Sequence, residues 1–277
     1  MSSSVSVAPN AVESPPPLPL LRVPAWGQIS GLVAGFCGRR GGISRGPFAE
    51  LNLSARVGDD PTAVRHNWQR LSAAVGGAVR FVTMSQVHGA DIATVADPAD
   101  EVGAADAMVG GAVSVVLCVL TADCVPLLLV APGHRLVAAV HAGWRGTLAG
   151  IAGRTLRYLH QGCGVEPEAV QVALGPAIGG CCYEVGSGVA DALENQWGTM
   201  RQAVRRGAAA GLPSGKATVD LRQVNRAQLL AAGVPSDAIV DVGPCTRCAM
   251  AEYFSHRAAT QAGTTTGRQV SFIGWCE

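Results

Sequence analysis

Val113-Ser-Val-Val-Leu-Cys-Val-Leu120, Val125-Pro-Leu-Leu-Leu-Val130 and Leu136-Val-Ala-Ala-Val140 are three short apolar runs. Thr121-Ala-Asp-Cys124 and Ala131-Pro-Gly-His-Arg135 separate them. Each run is too short for a buried helix and too uniformly apolar for a half-exposed strand, so the three read as strands covered on both faces. Working outward, Asp59-Asp-Pro61 opens a helix, with Asp as cap and Pro in the first turn. Val64, Trp68, Leu71 and Val75 then form an apolar stripe, and Gly76-Gly77 ends it. Beyond the core runs, a helix is expected from Thr147 to about His160, a strand over Ala169–Leu174 and a helix over Ser187–Trp197. Asp220 caps a helix ended by Gly233. Ala238–Val242 reads as a last central strand and Val270–Ile273 as an added edge strand. Strands and helices interleave without a βαβ repeat, so the fold class is α+β with mixed sheets.

The chain has 277 residues, 48% of them hydrophobic but only 5% aromatic, so Val, Leu and Ala must fill the core. Residues 1–24 are rich in Ser and Pro and read as a disordered leader; residues 25–277 read as one catalytic domain. A formal net charge of +1 and the absence of a Lys/Arg run argue against a nucleic-acid partner. The apolar run ending at Leu120 is too short to span a bilayer, which leaves no membrane partner and points to small molecules. Nine Cys without regular spacing, and no signal-like N-terminus, suggest free thiols in a reducing cytoplasm. The protein is expected to be a monomer or a small homo-oligomer.

Six His are present. His66, His134 and His160 lie on a polar helix side, in a turn and near a helix end, and read as structural or solvated. His88 and His141 are each followed by Gly within two positions, where the backbone can turn and expose the ring. Cys124 sits at a strand break beside Asp123 and before Pro126, unlike Cys118, which lies inside an apolar run and reads as core. Two imidazoles and one thiolate can hold zinc with a fourth position open, the catalytic arrangement. The spacings of 36 and 17 residues match no short zinc motif, so residue types alone leave the ligand set open. Adjacent Cys181 and Cys182 cannot readily bridge each other and read as loop or packing residues. Pro244-Cys-Thr-Arg-Cys248 lacks the His-x-Glu partner of a nucleobase deaminase and the flanks of a thioredoxin-type site.

Several blocks together resemble the YfiH-like family: Gln86-Val-His-Gly-Ala-Asp91, Ala105-Asp-Ala-Met108, Leu120-Thr-Ala-Asp-Cys-Val-Pro-Leu127, Val140-His-Ala-Gly-Trp-Arg-Gly146 and Leu174-Gly-Pro-Ala-Ile-Gly179. Phe36–Ser44, Leu51-Asn-Leu53, Gly58-Asp-Asp-Pro61, Asp220-Leu-Arg-Gln-Val-Asn225 and the tail from Cys245 to Trp275 fit the same pattern. That family is described as purine nucleoside phosphorylase, with older labels of polyphenol oxidoreductase or laccase-domain protein. The resemblance implies two mixed β-sheets packed together and flanked by helices, in four layers (α/β/β/α). It implies His88, Cys124 and His141 as ligands of one zinc ion. It also implies phosphorolysis of adenosine, inosine and methylthioadenosine, with adenosine deamination, in the cytoplasm. This chain departs from the pattern at Cys37-Gly38, where the family usually has Ser-Thr before the residue corresponding to Arg39.

On chemical grounds Arg39 and Arg145 are the candidate phosphate holders, since guanidinium forks match phosphate oxygens. Asn52 and Gln86, within the matched blocks, are expected to contact substrate. Asp123 is the candidate general base or ligand-orienting group, placing Asp123, Cys124 and Arg145 in the catalytic set. Two other activities compete. A copper-dependent polyphenol oxidase would need about ten imidazoles in His-x-His pairs, and this chain has six His and no such pair, although copper could enter the zinc position. A Cys–His hydrolase acting on peptidoglycan precursors would use Cys124 as nucleophile with His88 or His141 as base.

Overall fold

A computed structural model describes residues 17–76, 79–97, 99–198, 203–207 and 211–276. In chain order its strands are β1 (Leu20–Leu21), β2 (Leu32–Cys37), β3 (Arg80–Val82), β4 (Ile92–Val95), β5 (Ala107–Gly110), β6 (Val115–Thr121) and β7 (Val125–Ala131). They continue as β8 (Leu136–Ala142), β9 (Gln171–Leu174), β10 (Glu184–Gly186), β11 (Val204–Arg206), β12 (Lys216–Val219), β13 (Ile239–Asp241) and β14 (Gln269–Trp275). The helices are α1 (Pro61–Val75), α2 (Trp144–Leu148), α3 (Ile151–Cys163), α4 (Ser187–Gln196), α5 (Leu221–Ala231) and α6 (His256–Gln261).

Two large sheets face each other. One has the order β1-β2-β14-β6-β3 and the other β13-β9-β7-β8-β5-β4. Both are mixed: β3 runs parallel to β6, while β13–β9 and β4–β5 are the parallel pairs of the second sheet. Side chains alternate across each strand, and the alternation assigns three apolar layers. Leu117 and Val119 of β6 meet Leu128 and Val130 of β7 between the sheets. Leu127, Leu129 and Val140 point the other way, onto Ile151, Leu156 and Leu229 of the helices. Val116, Cys118 and Phe272 cover the outer face of the first sheet together with Leu71 of α1. The result is the expected α/β/β/α stack, with a small sheet β10-β12-β11 and α4 at one end.

The three core runs became β6, β7 and β8 because both faces of each are covered. Helix α1 starts as expected: Asp60 accepts from Thr62 N and Pro61 occupies the first turn. Four expectations are corrected. The single helix from Thr147 is two helices, since Gly150 sits at φ 79° and breaks the run; a Cβ there would approach Trp197 to 3.1 Å. Val270–Ile273 is not an edge: β14 pairs with both β2 and β6, and all seven of its residues are buried. Conversely, Ala238–Val242 is not central, because among the described residues β13 pairs only with β9. Local sequence reports apolar content, whereas sheet position depends on distant pairing partners. Finally, the folded region starts ahead of residue 25. Leu18 and Val23 are buried and β1 pairs with β2, so only residues 1–16 of the expected leader lie outside the described residues.

Candidate metal centre and substrate cavity

Strand β8 delivers His141. By the alternation that buries Val137 and Ala139 between the sheets, His141 opens into the same gap and is 2% exposed. Cys124 precedes β7, the neighbour of β8 in register. The chain bends sharply just before it, with Asp123 at φ 93°. His88 lies in the β3–β4 connection at φ 61°, a left-handed conformation that costs a non-Gly residue about 1–2 kcal/mol. The donor atoms of His88, Cys124 and His141 fall within 4.8 Å of one another. The two rings stand edge to face with centroids 4.8 Å apart.

Asp106, fully buried at the mouth of β5, holds this arrangement. Its carboxylate accepts the backbone N–H groups of Val87 (3.2 Å), His88 (3.0 Å) and Gly89 (2.6 Å), which offsets the strain at His88. It also accepts from His141 Nδ1 at 2.7 Å. With an ionised Asp106, a neutral His141 carries its proton on Nδ1, which leaves the Nε2 lone pair free to act as a donor. Burial works against the Asp106 carboxylate, but the hydrogen bonds from His141 and Gly89 outweigh it and lower its pKa. Sequence reading assigned Asp106 no role. The available signal was a charge inside the apolar Ala105-Asp-Ala-Met-Val109, where a buried carboxylate must have partners.

The same competition sets the other charges. Burial opposes the Cys124 thiolate, yet His141 and His88 beside it bring the thiol down to about 6. Burial likewise opposes the His141 imidazolium, and Cys124 and Asp106 raise it to about 9. A thiolate between two imidazoles is a donor set suited to a borderline-soft divalent ion. Gly143 makes room for it: a Cβ at this position would come within 2.9 Å of His88 Cδ2 and 3.3 Å of Cys124 Sγ.

These three residues line a cavity of about 570 Å³, a volume within the range of small-molecule sites. Trp68 and Phe81, 5.3 Å apart between centroids, form its apolar wall. Arg56, Arg268 and His256 also line it. Arg268 is anchored by Nη1, which donates to the Thr266 and Gly267 carbonyls. Burial lowers its pKa, against the pull of Cys124 and Asp123. None of these three residues stood among the expected site residues, because an isolated Arg or His carries no spacing signal.

The remaining expected residues are dispersed. Gln86 lines the cavity, but its side chain is locked onto the Leu120 backbone, donating to the carbonyl and accepting from the N–H, each at 2.8 Å. Asn52 is fully buried and spends its amide on Ser54, Asp59 and Arg268. Arg39 donates to the carbonyls of Ala49 (2.7 Å) and Met250 (3.0 Å) and lies over Phe254, away from the cavity lining. Asp123 accepts from Thr246 Oγ1 and from Arg257 N, both at 2.6 Å. Arg145 is exposed, stacked over Trp144. Its charge reaches Tyr183, whose hydroxyl is pushed up to about 12, mainly by burial and then by Cys124.

The protein-family model described as "multi-copper polyphenol oxidoreductase laccase" matches residues 33–276. Curated relatives carry another name. The chain is 41% identical over 256 residues to "purine nucleoside phosphorylase YlmD" of Geobacillus stearothermophilus, covering 89% of this chain and 91% of the relative. This chain belongs to the YfiH-like family. It is likewise 36% identical over 253 residues to "purine nucleoside phosphorylase YfiH" of Escherichia coli, covering 91% of this chain and 98% of that one. Among solved YfiH-like structures, YlmD of G. stearothermophilus superposes with a TM-score of 0.81 at 40% identity, covering 90% of this chain and 93% of that one. The Bacillus licheniformis protein YfiH superposes with a TM-score of 0.83 at 30% identity, covering 96% and 98%.

Proposed function

We propose that this YfiH-like protein is a zinc-dependent purine nucleoside phosphorylase, acting on adenosine, inosine and methylthioadenosine, that also deaminates adenosine. The observation that carries the reading is the three-donor centre of His88, Cys124 and His141 on the wall of a cavity that also holds apolar rings and guanidinium groups. The names of the relatives supply the reaction class. Phosphorolysis replaces the C1′–N9 bond of the nucleoside with a C1′–O bond to phosphate, releasing the base and ribose 1-phosphate. Deamination replaces the C6 amine with oxygen from water, releasing ammonia.

The residues divide this work. Trp68 and Phe81 offer aromatic faces to the purine. Arg268 and Arg56 face the cavity as cations for phosphate, with the exposed Arg145 as a third candidate. Arg39, whose guanidinium is already engaged by two carbonyls, supports the loops instead. Asp123 takes a positioning role, since both its oxygens are bonded and it fixes the bend before Cys124. A zinc ion held by His88, Cys124 and His141 would supply Lewis acidity at the cavity wall. The reading places the protein in the cytoplasm, which suits nine cysteines without a disulfide. No helix among the described residues is long and apolar enough to cross a membrane.

One observation favours a second reading. Cys124, His141 and Asp106 stand in the order nucleophile, base and orienting carboxylate of a thiol hydrolase. That chemistry needs one imidazole, whereas this site brings two to the same sulfur. A multicopper oxidase finds less support: of six His only His88, His141 and His256 line the cavity. Incubating the protein with adenosine, with and without inorganic phosphate, tests the proposal. Phosphate-dependent adenine and ribose 1-phosphate are expected, with inosine as a side product. Absence of both products would end the nucleoside reading.

A further inference from the structure

Two cysteine pairs that the function above does not use converge beyond the C-terminal ends of two parallel strands, which lie side by side. β9 runs into the loop that carries Cys181 and Cys182, and β13 runs into the turn that carries Cys245 and Cys248. Bridging contacts between Ala177 and Cys245 continue the parallel pairing beyond the strands, and Thr246 N donates to the Ala177 carbonyl. The four sulfurs fall within 4.8 Å of one another. Cys248 Sγ lies 3.7 Å from Cys181 Sγ and 3.4 Å from Cys182 Sγ. In a tetrahedral zinc tetrathiolate, with Zn–S of about 2.3 Å, neighbouring sulfurs stand about 3.8 Å apart. The spacing is thus that of four ligands around one ion, and it leaves no room for a polynuclear cluster.

We propose that Cys181, Cys182, Cys245 and Cys248 form a structural zinc site, separate from the His88–Cys124–His141 centre. Cys245-Thr-Arg-Cys248 supplies the two-residue spacing of a zinc knuckle, and the adjacent pair supplies the other two sulfurs. Donors are already aimed at the sulfurs. Gly179 N donates to Cys245 Sγ at 3.2 Å. The Arg247 guanidinium lies 3.8 Å from Cys182 Sγ and is held in place by Gln261, at 2.8 Å and 3.1 Å. Four thiolates and one divalent ion carry two negative charges, and Arg247 offsets part of them. On binding, each thiol releases its proton to solvent, and no electron is transferred. Cys245 is buried, whereas Cys181 and Cys248 are exposed, so the ion has a path in.

The site would act as a clamp beside the cavity. The loop it holds donates Ile178 N to the Asp123 carbonyl at 2.9 Å, and the turn it holds donates Thr246 Oγ1 to the Asp123 carboxylate at 2.6 Å. Asp123 fixes the bend that presents Cys124. Zinc at the cysteines therefore stabilises the framework of the active centre without touching substrate.

The test measures zinc per chain by mass spectrometry of the metal in three proteins purified under reducing conditions. These are the natural protein, Cys245→Ser/Cys248→Ser and His88→Ala/His141→Ala. The cysteine variant is expected to lose one zinc per chain, and the histidine variant to keep that zinc. Equal zinc in the natural and cysteine-variant proteins, or none in the histidine variant, would overturn the proposal. Should the cysteine variant fail to fold, alkylation of the natural protein gives the answer. Cys181, Cys182, Cys245 and Cys248 are expected to resist iodoacetamide until a strong chelator is added. Equal labelling with and without chelator, or a disulfide among the four in protein purified without oxidant, contradicts it.

Discussion

The His88–Cys124–His141 centre and the four-cysteine cluster are built from the same material and differ in how they close. Both gather donors from strand ends far apart in sequence. The cluster has four donors, all sulfur, near the surface and away from the cavity lining. The other centre has three donors, and its fourth direction is a cavity with apolar rings and guanidinium groups. Its imidazole is oriented by a buried carboxylate. Donor number and what faces the missing ligand therefore separate a framework site from a reactive one. Residue type alone does not, since Cys appears in both.

Mutations at the two sites should separate accordingly. The largest effect is expected at Cys124→Ser, which removes the central donor: nucleoside cleavage should fall by roughly a thousand-fold or more, beyond the 10–100-fold typical of groups behind the ligands. Initial rates with adenosine and phosphate check this, and a variant with more than a tenth of the natural rate would remove Cys124 from the centre. Asp106→Asn keeps the shape but loses the charge that fixes His141 and the His88 loop. Zinc affinity and activity should each drop by about 10–100-fold, read by competition with a chelating dye alongside rates. Because Asp106 is fully buried, its thermal midpoint should fall as well.

Gly143→Ala sharpens the comparison, since it acts on geometry alone. The backbone there is at φ −75°, which suits Ala, but the new methyl would meet the His88 ring at 2.9 Å. Activity should drop on the order of ten-fold, less than the roughly hundred-fold that a 1 Å misplacement can cost. The thermal midpoint should hardly move, because the ring can swing toward the cavity. A collapse of stability with normal rates in the surviving protein would contradict the packing described for this corner. The smallest effect on chemistry belongs to Cys245→Ser/Cys248→Ser. We expect a lowered thermal midpoint and at most a several-fold loss of rate, since these sulfurs reach the centre indirectly, through Asp123.

Much of the fold was legible where physics acts locally. The runs that became β6, β7 and β8 are covered on both faces and are almost wholly apolar. Asp60, Pro61 and Gly76 punctuate α1 because capping and turn chemistry are short-range. β2 was not expected as a strand: Gly35 interrupts its apolar pattern because a side chain there would collide with the Phe272 ring at 2.9 Å. β14 was misjudged because Gln269 and Ser271 look like exposed-face residues. Gln269 is in fact buried and satisfied by both backbone groups of Phe254. In the site, His88, Cys124 and His141 were legible as a set only through the sequence blocks around them. Their convergence depends on the pairing of β7 with β8 and on the Asp106 carboxylate, and neither leaves a spacing in the chain. The meeting of the two cysteine pairs depends in the same way on β9 lying beside β13.

The central claim is that one metal at the open three-donor centre runs nucleoside phosphorolysis. It is tested most directly by stripping the protein with a strong chelator, then adding back zinc in steps while measuring adenine and ribose 1-phosphate formed from adenosine and phosphate. Run in parallel on Cys245→Ser/Cys248→Ser, the titration reports the open centre alone. The account predicts that activity disappears on chelation and returns in both proteins, with one zinc per chain in the cysteine variant and no more than two in the natural protein. Phosphorolysis that survives chelation, or that alkylation of Cys124 abolishes in chelator-resistant protein, would contradict it.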